Sequence, residues 1–129
     1  MKKPEKQRFE QIPGLDPTVL DVYAQWVNSI WNWHPKRKKK ETLRDDFIMT
    51  VGLGGETGEV LEILKKKVRS NGSFNKQHLQ EELGDVLYYL VKIANSHGIT
   101  FEDILVGNYL KLEERLKQKS TVKKPERKS

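Results

Sequence analysis

Two stretches of the sequence decide its fold: residues 51–62 read VGLGGETGEVLE, and residues 81–90 read EELGDVLYYL. Each stretch contains two acidic residues three positions apart within an otherwise apolar helical pattern. The four acidic residues are Glu56, Glu59, Glu82 and Asp85. Side chains at positions i and i+3 lie next to each other on an α-helix. Two such helices packed side by side would therefore bring four carboxylates together.

The charge of this group predicts a metal site. Carboxylates at short range repel one another unless a cation lies between them. Ligand sets made only of oxygen atoms favour a hard cation, Mg²⁺ or Mn²⁺, over zinc. The alternative is an ordinary solvated helix face, because glutamate is a good helix former and usually lies at the surface.

Helical geometry supports the shared site and leaves the solvated face open as the alternative. At about 100° per residue, Glu56 and Glu82 each fall at one edge of the apolar side of their helix. Glu59 and Asp85 fall further out on the same side. Because both helices repeat this arrangement, packing them antiparallel would form an acidic groove along one rim.

The remaining sequence reads as further helices with short connections. Asp16 and Pro17 form an N-cap followed by proline at the first helical position. No run shows the alternation of apolar and polar residues that is typical of a strand. The predicted helices span about residues 17–32, 41–69, 75–96 and 100–117. The sequence therefore predicts an all-α fold of the four-helix-bundle type, with the acidic site between helices two and three.

Helix two has an apolar side that we expect to face the core. Its residues are Leu43, Phe47, Val51, Leu53, Val60, Leu61, Leu64 and Val68. Glycines at positions 52, 54 and 55 each cost a helix about 1 kcal/mol relative to alanine. We therefore predict a bend or a break in the middle of this helix.

Length and composition bound the domain organisation. The 129 residues fit one domain and include no cysteine, which excludes disulfides and thiolate metal sites. We expect a flexible basic arm over residues 1–14, a helical domain over residues 15–119 and a disordered charged tail over residues 120–129. No apolar stretch is long enough to span a membrane, and a cytoplasmic location is expected.

The net charge of +6 is unevenly distributed. Residues 41–119 contain 11 Lys/Arg and 13 Asp/Glu, a net charge of −2. The basic excess therefore lies in the flanking segments, with runs at residues 36–40 and 123–128. This leaves a second reading open, a non-enzymatic helical module that binds nucleic acid through those runs. The slightly acidic middle of the chain argues against it.

The pattern E-x-x-E followed by E-x-x-D, with its flanking residues, resembles the MazG-like nucleoside triphosphate pyrophosphohydrolases. These belong to the all-α NTP pyrophosphatase superfamily, which includes dCTP pyrophosphatases and dimeric dUTPases. The resemblance covers about residues 43–116 and implies conversion of an NTP or dNTP, most favourably a dNTP, to the monophosphate and pyrophosphate. It implies that Glu56, Glu59, Glu82 and Asp85 hold Mg²⁺, with Mn²⁺ as an alternative. Glu59 and Glu56 are the candidates for accepting the proton of the attacking water.

The resemblance also implies substrate contacts. Asn108, Lys111 and Arg115 fall on one face of helix four, where such enzymes contact phosphates or sugar; the alternative is a solvated face. Trp33, at the end of helix one, is the candidate for contact with the base. His78 lies four residues before Glu82 and either contacts it or is an ordinary surface histidine. The expected partners are the nucleotide and further copies of the chain, as a homodimer or homotetramer, with no membrane or nucleic acid.

Overall fold

The computed structural model describes residues 16–31 and 39–121, together with positions 12 and 14. These residues form four α-helices and no strand, which confirms the predicted all-α class. The helices are α1 (Pro17–Trp31), α2 (Lys39–Arg69), α3 (Lys76–Ser96) and α4 (Phe101–Thr121). Apart from positions 12 and 14, the predicted arm over residues 1–14 lies outside the described residues, as do positions 36–38 and 122–129. The predicted tail differs at its start, because α4 continues through Ser120 and Thr121.

Helix α1 begins at its predicted cap, Asp16, and α4 begins at a capping pair. The Asp16 Oδ1 atom accepts a hydrogen bond of 2.9 Å from the backbone N–H of Thr18. Before α4, the N–H of Asp103 donates to Thr100 Oγ1 at 3.0 Å, and the N–H of Thr100 donates to Asp103 Oδ2 at 3.2 Å. Asp103 therefore completes a reciprocal capping box in place of the more usual glutamate.

A short turn joins α2 to α3. Asn71 and Gly72 have φ values of 54° and 94°, which reverse the chain after α2. Asn75 then caps α3, since its side-chain oxygen accepts a 3.1 Å hydrogen bond from the N–H of His78. At the other end of α3, Gly98 has a φ of 66° and ends the helix in the left-handed conformation.

Helix α3 contacts each of the other three helices, most extensively α2, and α1 also packs against α4. The buried apolar side chains come from all four helices: Val27, Met49, Ile63, Val91, Ala94 and Val106. Among residues 16–31 and 39–121, no helix has a long apolar run of the kind that crosses a bilayer. The α2–α3 pair is thus the largest packed unit, and it carries both acidic pairs.

Helix α2 differs from the prediction in two ways. It is one uninterrupted helix, with no break at its glycines. The prediction of which apolar residues of α2 face the core is also wrong for most of them. The side chains left 40–80% exposed are Leu43, Phe47, Val51, Leu61, Leu64 and Val68. Instead, Met49 and Ile63 are buried, on the opposite side of the helix.

Gly52 explains why α2 packs with this other side against α3. A Cβ atom at position 52 would lie less than 3.0 Å from three ring carbon atoms of Tyr89 on α3. The absence of a side chain at Gly52 therefore allows the Tyr89 ring to lie directly against the backbone of α2. Gly54 and Gly55 differ from Gly52 in this respect, since neither has an atom within 4 Å of the corresponding position.

Candidate metal site between α2 and α3

Three of the four predicted carboxylates meet between α2 and α3. Glu56, Glu82 and Asp85 each offer a carboxylate oxygen, and these three oxygens all lie within 4.8 Å of one another. Glu56 and Glu82 are partly buried, whereas Asp85 is exposed. Because Glu56 belongs to the side of α2 that packs on α3, the group lies at the edge of the helix contact and opens to solvent at Asp85.

Glu82 is held from two sides. Its Oε1 atom lies 2.9 Å from Nε2 of His78, one helical turn earlier, and its side chain is only 15% exposed. The carboxyl group of Glu56 also forms a hydrogen bond with that of Glu82. The His78 contact was one of the two alternatives left by the sequence; its ring is also 48% exposed, so the histidine both reaches the surface and touches Glu82.

The electrostatics of the group centre on Glu56. Burial raises the pKa of Glu56 above its ordinary value, and the hydrogen bond to Glu82 raises it further. The negative charges of Asp85, Glu82 and Glu59 add to this shift. A carboxyl pKa that burial and like charges raise indicates negative charge that the surrounding protein does not compensate.

Glu59 lies beside this group but does not belong to it. Its side chain is exposed, and its oxygens are not among those within 4.8 Å of one another. It is still near enough for its charge to raise the pKa of Glu56. The structure therefore separates the four acidic residues into a compact set of three and one neighbour at its outer edge.

Tyr23 on α1 is a neighbour of the site that the acidic motifs did not identify. Burial raises the pKa of its phenol, and the charge of Asp85 raises it further. The Tyr23 ring also packs against Trp26, with centroids 5.8 Å apart, and against Phe101 at 6.3 Å. In the sequence, Tyr23 is one of the apolar positions of α1. Its closeness to Asp85 cannot be predicted from local spacing, because it depends on how α1 packs on α3.

The predicted substrate residues are not assembled with the carboxylates. Asn108, Lys111 and Arg115 are exposed on α4, and within residues 16–31 and 39–121 none of them forms a side-chain hydrogen bond or ion pair with the acidic group. Trp33 lies outside the described residues, as do residues 36–38 and 123–128 of the basic runs. The α4 face is therefore available to a ligand, without a built contact to the acidic group.

The three carboxylates fit a divalent cation. They supply only oxygen ligands, which suits Mg²⁺ or Mn²⁺. The raised pKa of Glu56 agrees with this, because a cation among the oxygens would compensate the repulsion between the carboxylates. Glu56, Glu82 and Asp85 would hold such an ion, and the open side at Asp85 would leave room for water or phosphate oxygens.

Comparison with known proteins places the site within a recognised domain. Residues 48–120 match the family model described as the MazG nucleotide pyrophosphohydrolase domain, and this range includes all four acidic residues. The chain is also 35% identical over 71 residues to the Gene 37 protein of Mycobacterium phage L5. That alignment covers 52% of this chain and 62% of the phage protein, so the chain spans less than two thirds of its relative. No solved structure matches the chain.

Proposed function

Because the chain belongs to the MazG nucleotide pyrophosphohydrolase domain family, we propose that it hydrolyses a nucleoside triphosphate to the monophosphate and pyrophosphate. The observation that carries this proposal is the meeting of Glu56, Glu82 and Asp85 across α2 and α3. Glu56 lies 26 positions before Glu82 and 29 before Asp85, on the other side of the turn, yet the oxygens of all three converge within the matched domain. Carboxylates on ordinary solvated helix faces are not expected to converge in this way.

The proposed cofactor is Mg²⁺, with Mn²⁺ as an alternative, held by Glu56, Glu82 and Asp85. When bound, a divalent cation would bind phosphate oxygens and lower the pKa of a water molecule. Glu82 is the best-oriented member, because His78 fixes one of its oxygens. Glu56 must lose its proton before it can serve as a ligand, which its raised pKa opposes at acid pH.

Glu59 is the proposed acceptor of the water proton. Its carboxylate is exposed and lies outside the compact set, so it can accept a proton without giving up a place among the cation ligands. A base must come within hydrogen-bonding distance of the attacking water, directly or through one further water. The position of Glu59 at the outer edge of the site, on the same helix as Glu56, supports this role.

Substrate binding is proposed for Asn108, Lys111 and Arg115 on α4, and for Trp33 at the base. The exposure of the three α4 residues supports the proposal, since cationic side chains that lie open to solvent can bind phosphate. A preference for deoxynucleotides rests on the resemblance to dCTP pyrophosphatases and dimeric dUTPases. We also propose a homodimer or homotetramer, which the exposed apolar side chains of α1 and α2 support.

A nucleotide panel tests the proposed activity. The protein is incubated with Mg²⁺ and each NTP and dNTP, and pyrophosphate and orthophosphate are measured separately. Pyrophosphate with the matching monophosphate is the expected product, with the highest rate on one or more dNTPs. Release of orthophosphate alone would contradict cleavage between the α and β phosphates, and no product from any nucleotide would contradict the proposed activity as a whole.

A further inference from the structure

Among residues 16–31 and 39–121, nothing covers the side of α2 that faces away from α3. We name it the α2 outer face, and it consists of Leu43, Phe47, Val51, Gly54, Gly58, Leu61 and Val68. At about 100° per residue, these positions lie within about 60° of one direction. That direction is about 170° from the positions that contact α3.

The exposed apolar area of this face is large for a surface. Its five large apolar side chains are 56–80% exposed. At about 150–200 Å² for each large side chain, they leave roughly 500–700 Å² open to solvent. Lys65 falls in the same direction and interrupts this apolar surface with one charge. A surface of this size still marks a site of association, and it approaches the roughly 800 Å² that each partner buries in a standard protein interface.

We propose that the α2 outer face pairs with the same face of a second copy of the chain, antiparallel, across a two-fold axis near residue 56. Apart from Phe47, which comes level with the partner's Lys65, the residues of the face are arranged symmetrically about this point. Antiparallel pairing would place Gly54 opposite the partner's Gly58 and Val51 opposite the partner's Leu61. Leu43 would lie opposite the partner's Val68. A two-fold interface requires such self-complementarity, since each surface meets its own copy.

The centre of the face allows the two helices to approach closely. No atom lies within 4 Å of a Cβ placed at Gly54 or at Gly58, so the space above both glycines is open. Small residues at a helix crossing let the backbones come together, and larger apolar residues on either side then fill the widening gap. The order of large, small and large residues along the face fits this crossing.

Charge decides between the antiparallel and the parallel orientation. The last turn of α2 carries Lys66, Lys67 and Arg69. In a parallel pair these cations would lie beside their own copies and repel. In the antiparallel pair the two groups of cations lie at opposite ends of the contact, which removes this repulsion.

This pairing deepens the proposed oligomer by naming the surface and the register. It does not depend on catalysis, because none of the carboxylates in the compact set belongs to the α2 outer face. A protein that releases no pyrophosphate from any nucleotide can therefore still form the pair. The nucleotide panel tests the proposed activity, whereas cross-linking and light scattering test the pairing, so either proposal can fail without the other.

Disulfide cross-linking tests the register directly, since the native chain has no cysteine. In a V51C/L61C double variant, each Val51→Cys would face the partner's Leu61→Cys, so oxidation should give a covalent dimer. Because residue 51 is level with the partner's residue 61, the two copies of a single new cysteine would lie about 15 Å apart along the helices. That distance is beyond the reach of a disulfide, so each single variant should stay uncross-linked. A double variant without cross-links, or self-cross-linking of L61C alone, would overturn the register.

Light scattering provides the second test. Wild-type protein should have at least twice the 15.1 kDa mass of the chain, and Leu61→Glu should reduce the number of copies at least twofold. Val19→Glu on α1 is the matched control, because Val19 is 66% exposed and Leu61 is 62% exposed. A wild-type monomer, or dissociation by Val19→Glu with Leu61→Glu unchanged, would overturn the proposal. Far-UV circular dichroism checks folding; if Leu61→Glu unfolds, the cross-linking result decides.

Discussion

The carboxyl groups of Glu56 on α2 and Glu82 on α3 hydrogen-bond to each other across the helix pair, and this contact adds to the effect of burial in raising the pKa of Glu56. The same contact links the fold to the proposed function. It raises the affinity for a proton at the point where a divalent cation would bind. Proton and cation therefore compete for one place, and stability, pH and metal affinity become connected at Glu56.

The first prediction concerns stability without metal. Because the folded protein holds the Glu56 proton more tightly than the unfolded chain, the contribution of Glu56 is fully present below its unfolded pKa, about 4.3. It is lost as pH rises through the raised folded pKa. Glu56→Gln removes this loss, so in EDTA above that window the variant should melt about 1–3 °C higher than wild type.

Glu62→Gln is the matched control for this measurement. The hydrogen bond and charge of Lys65 lower the pKa of Glu62, which is the opposite sign. Its contribution to stability is present above the unfolded pKa and disappears as pH falls through the lowered folded value. Replacing Glu62 should therefore give no gain in melting temperature at neutral pH. An equal gain in both variants would show that the repulsion is not specific to Glu56.

The second prediction separates proton transfer from cation binding. Glu59→Gln should lower the rate of pyrophosphate release by about 100-fold or more, because it removes the proposed proton acceptor. The rise in melting temperature on adding Mg²⁺ should survive in this variant, since Glu59 lies outside the compact set. Asp85→Asn should lose both the release of pyrophosphate and the rise in melting temperature on adding Mg²⁺. Unchanged turnover in Glu59→Gln would remove Glu59 from the mechanism.

The third prediction assigns His78 a positioning role. Its Nε2–Oε1 contact of 2.9 Å orients Glu82, and groups that orient metal ligands typically change metal affinity by about 10–100-fold. His78→Ala should therefore weaken Mn²⁺ binding, measured by calorimetry without nucleotide, by about 10-fold. His78→Gln, which can donate the same hydrogen bond, should restore most of the affinity.

The chain contains a matched control one residue earlier. Gln77 donates a 3.1 Å hydrogen bond from Nε2 to Oε1 of Glu81, with the same i to i+4 spacing but outside the acidic group. Gln77→Ala should leave Mn²⁺ affinity unchanged. If it weakens binding as much as His78→Ala, the effect comes from the stability of α3 and the role of His78 is wrong.

The fourth prediction concerns packing between α2 and α3. Gly52→Ala would place a methyl group against the Tyr89 ring, and overpacking of this kind costs about 1–3 kcal/mol in the free energy of unfolding. Gly55→Ala meets no atom within 4 Å and gains helix propensity, so it should be neutral or stabilise by up to about 1 kcal/mol. Urea denaturation of both variants measures the difference, and equal effects would contradict the close approach at Gly52.

The helix ends and the acidic pairs could be predicted from sequence because both depend on residues a few positions apart. Asp16, Asn75 and Thr100 each cap a helix through a contact two or three residues away. The packed side of α2 could not be predicted by counting apolar residues, since it includes Gly52 and Glu56 while the opposite side carries the larger apolar side chains. An apolar stripe indicates that a surface is to be covered, but not whether its own chain covers it.

Tyr23 shows a second limit of the sequence. Its nearness to Asp85 depends on the packing of α1 against α3, across more than 60 residues of chain. No local spacing encodes that relation. The same holds for the grouping of Glu56, Glu82 and Asp85 without Glu59, because a difference of one helical turn is decided only when the two helices are packed.

The short turn at Asn71 and Gly72 has a consequence for how the protein folds. Glu56, Glu82 and Asp85 all belong to the two helices that this turn connects, so their convergence requires the closure of only one small loop. Contacts of such low sequence separation form quickly, and loop closure of this size carries a small entropic cost. During synthesis, the carboxylates can therefore converge before α4 has left the ribosome, and a cation could then act as a clamp on the nascent hairpin.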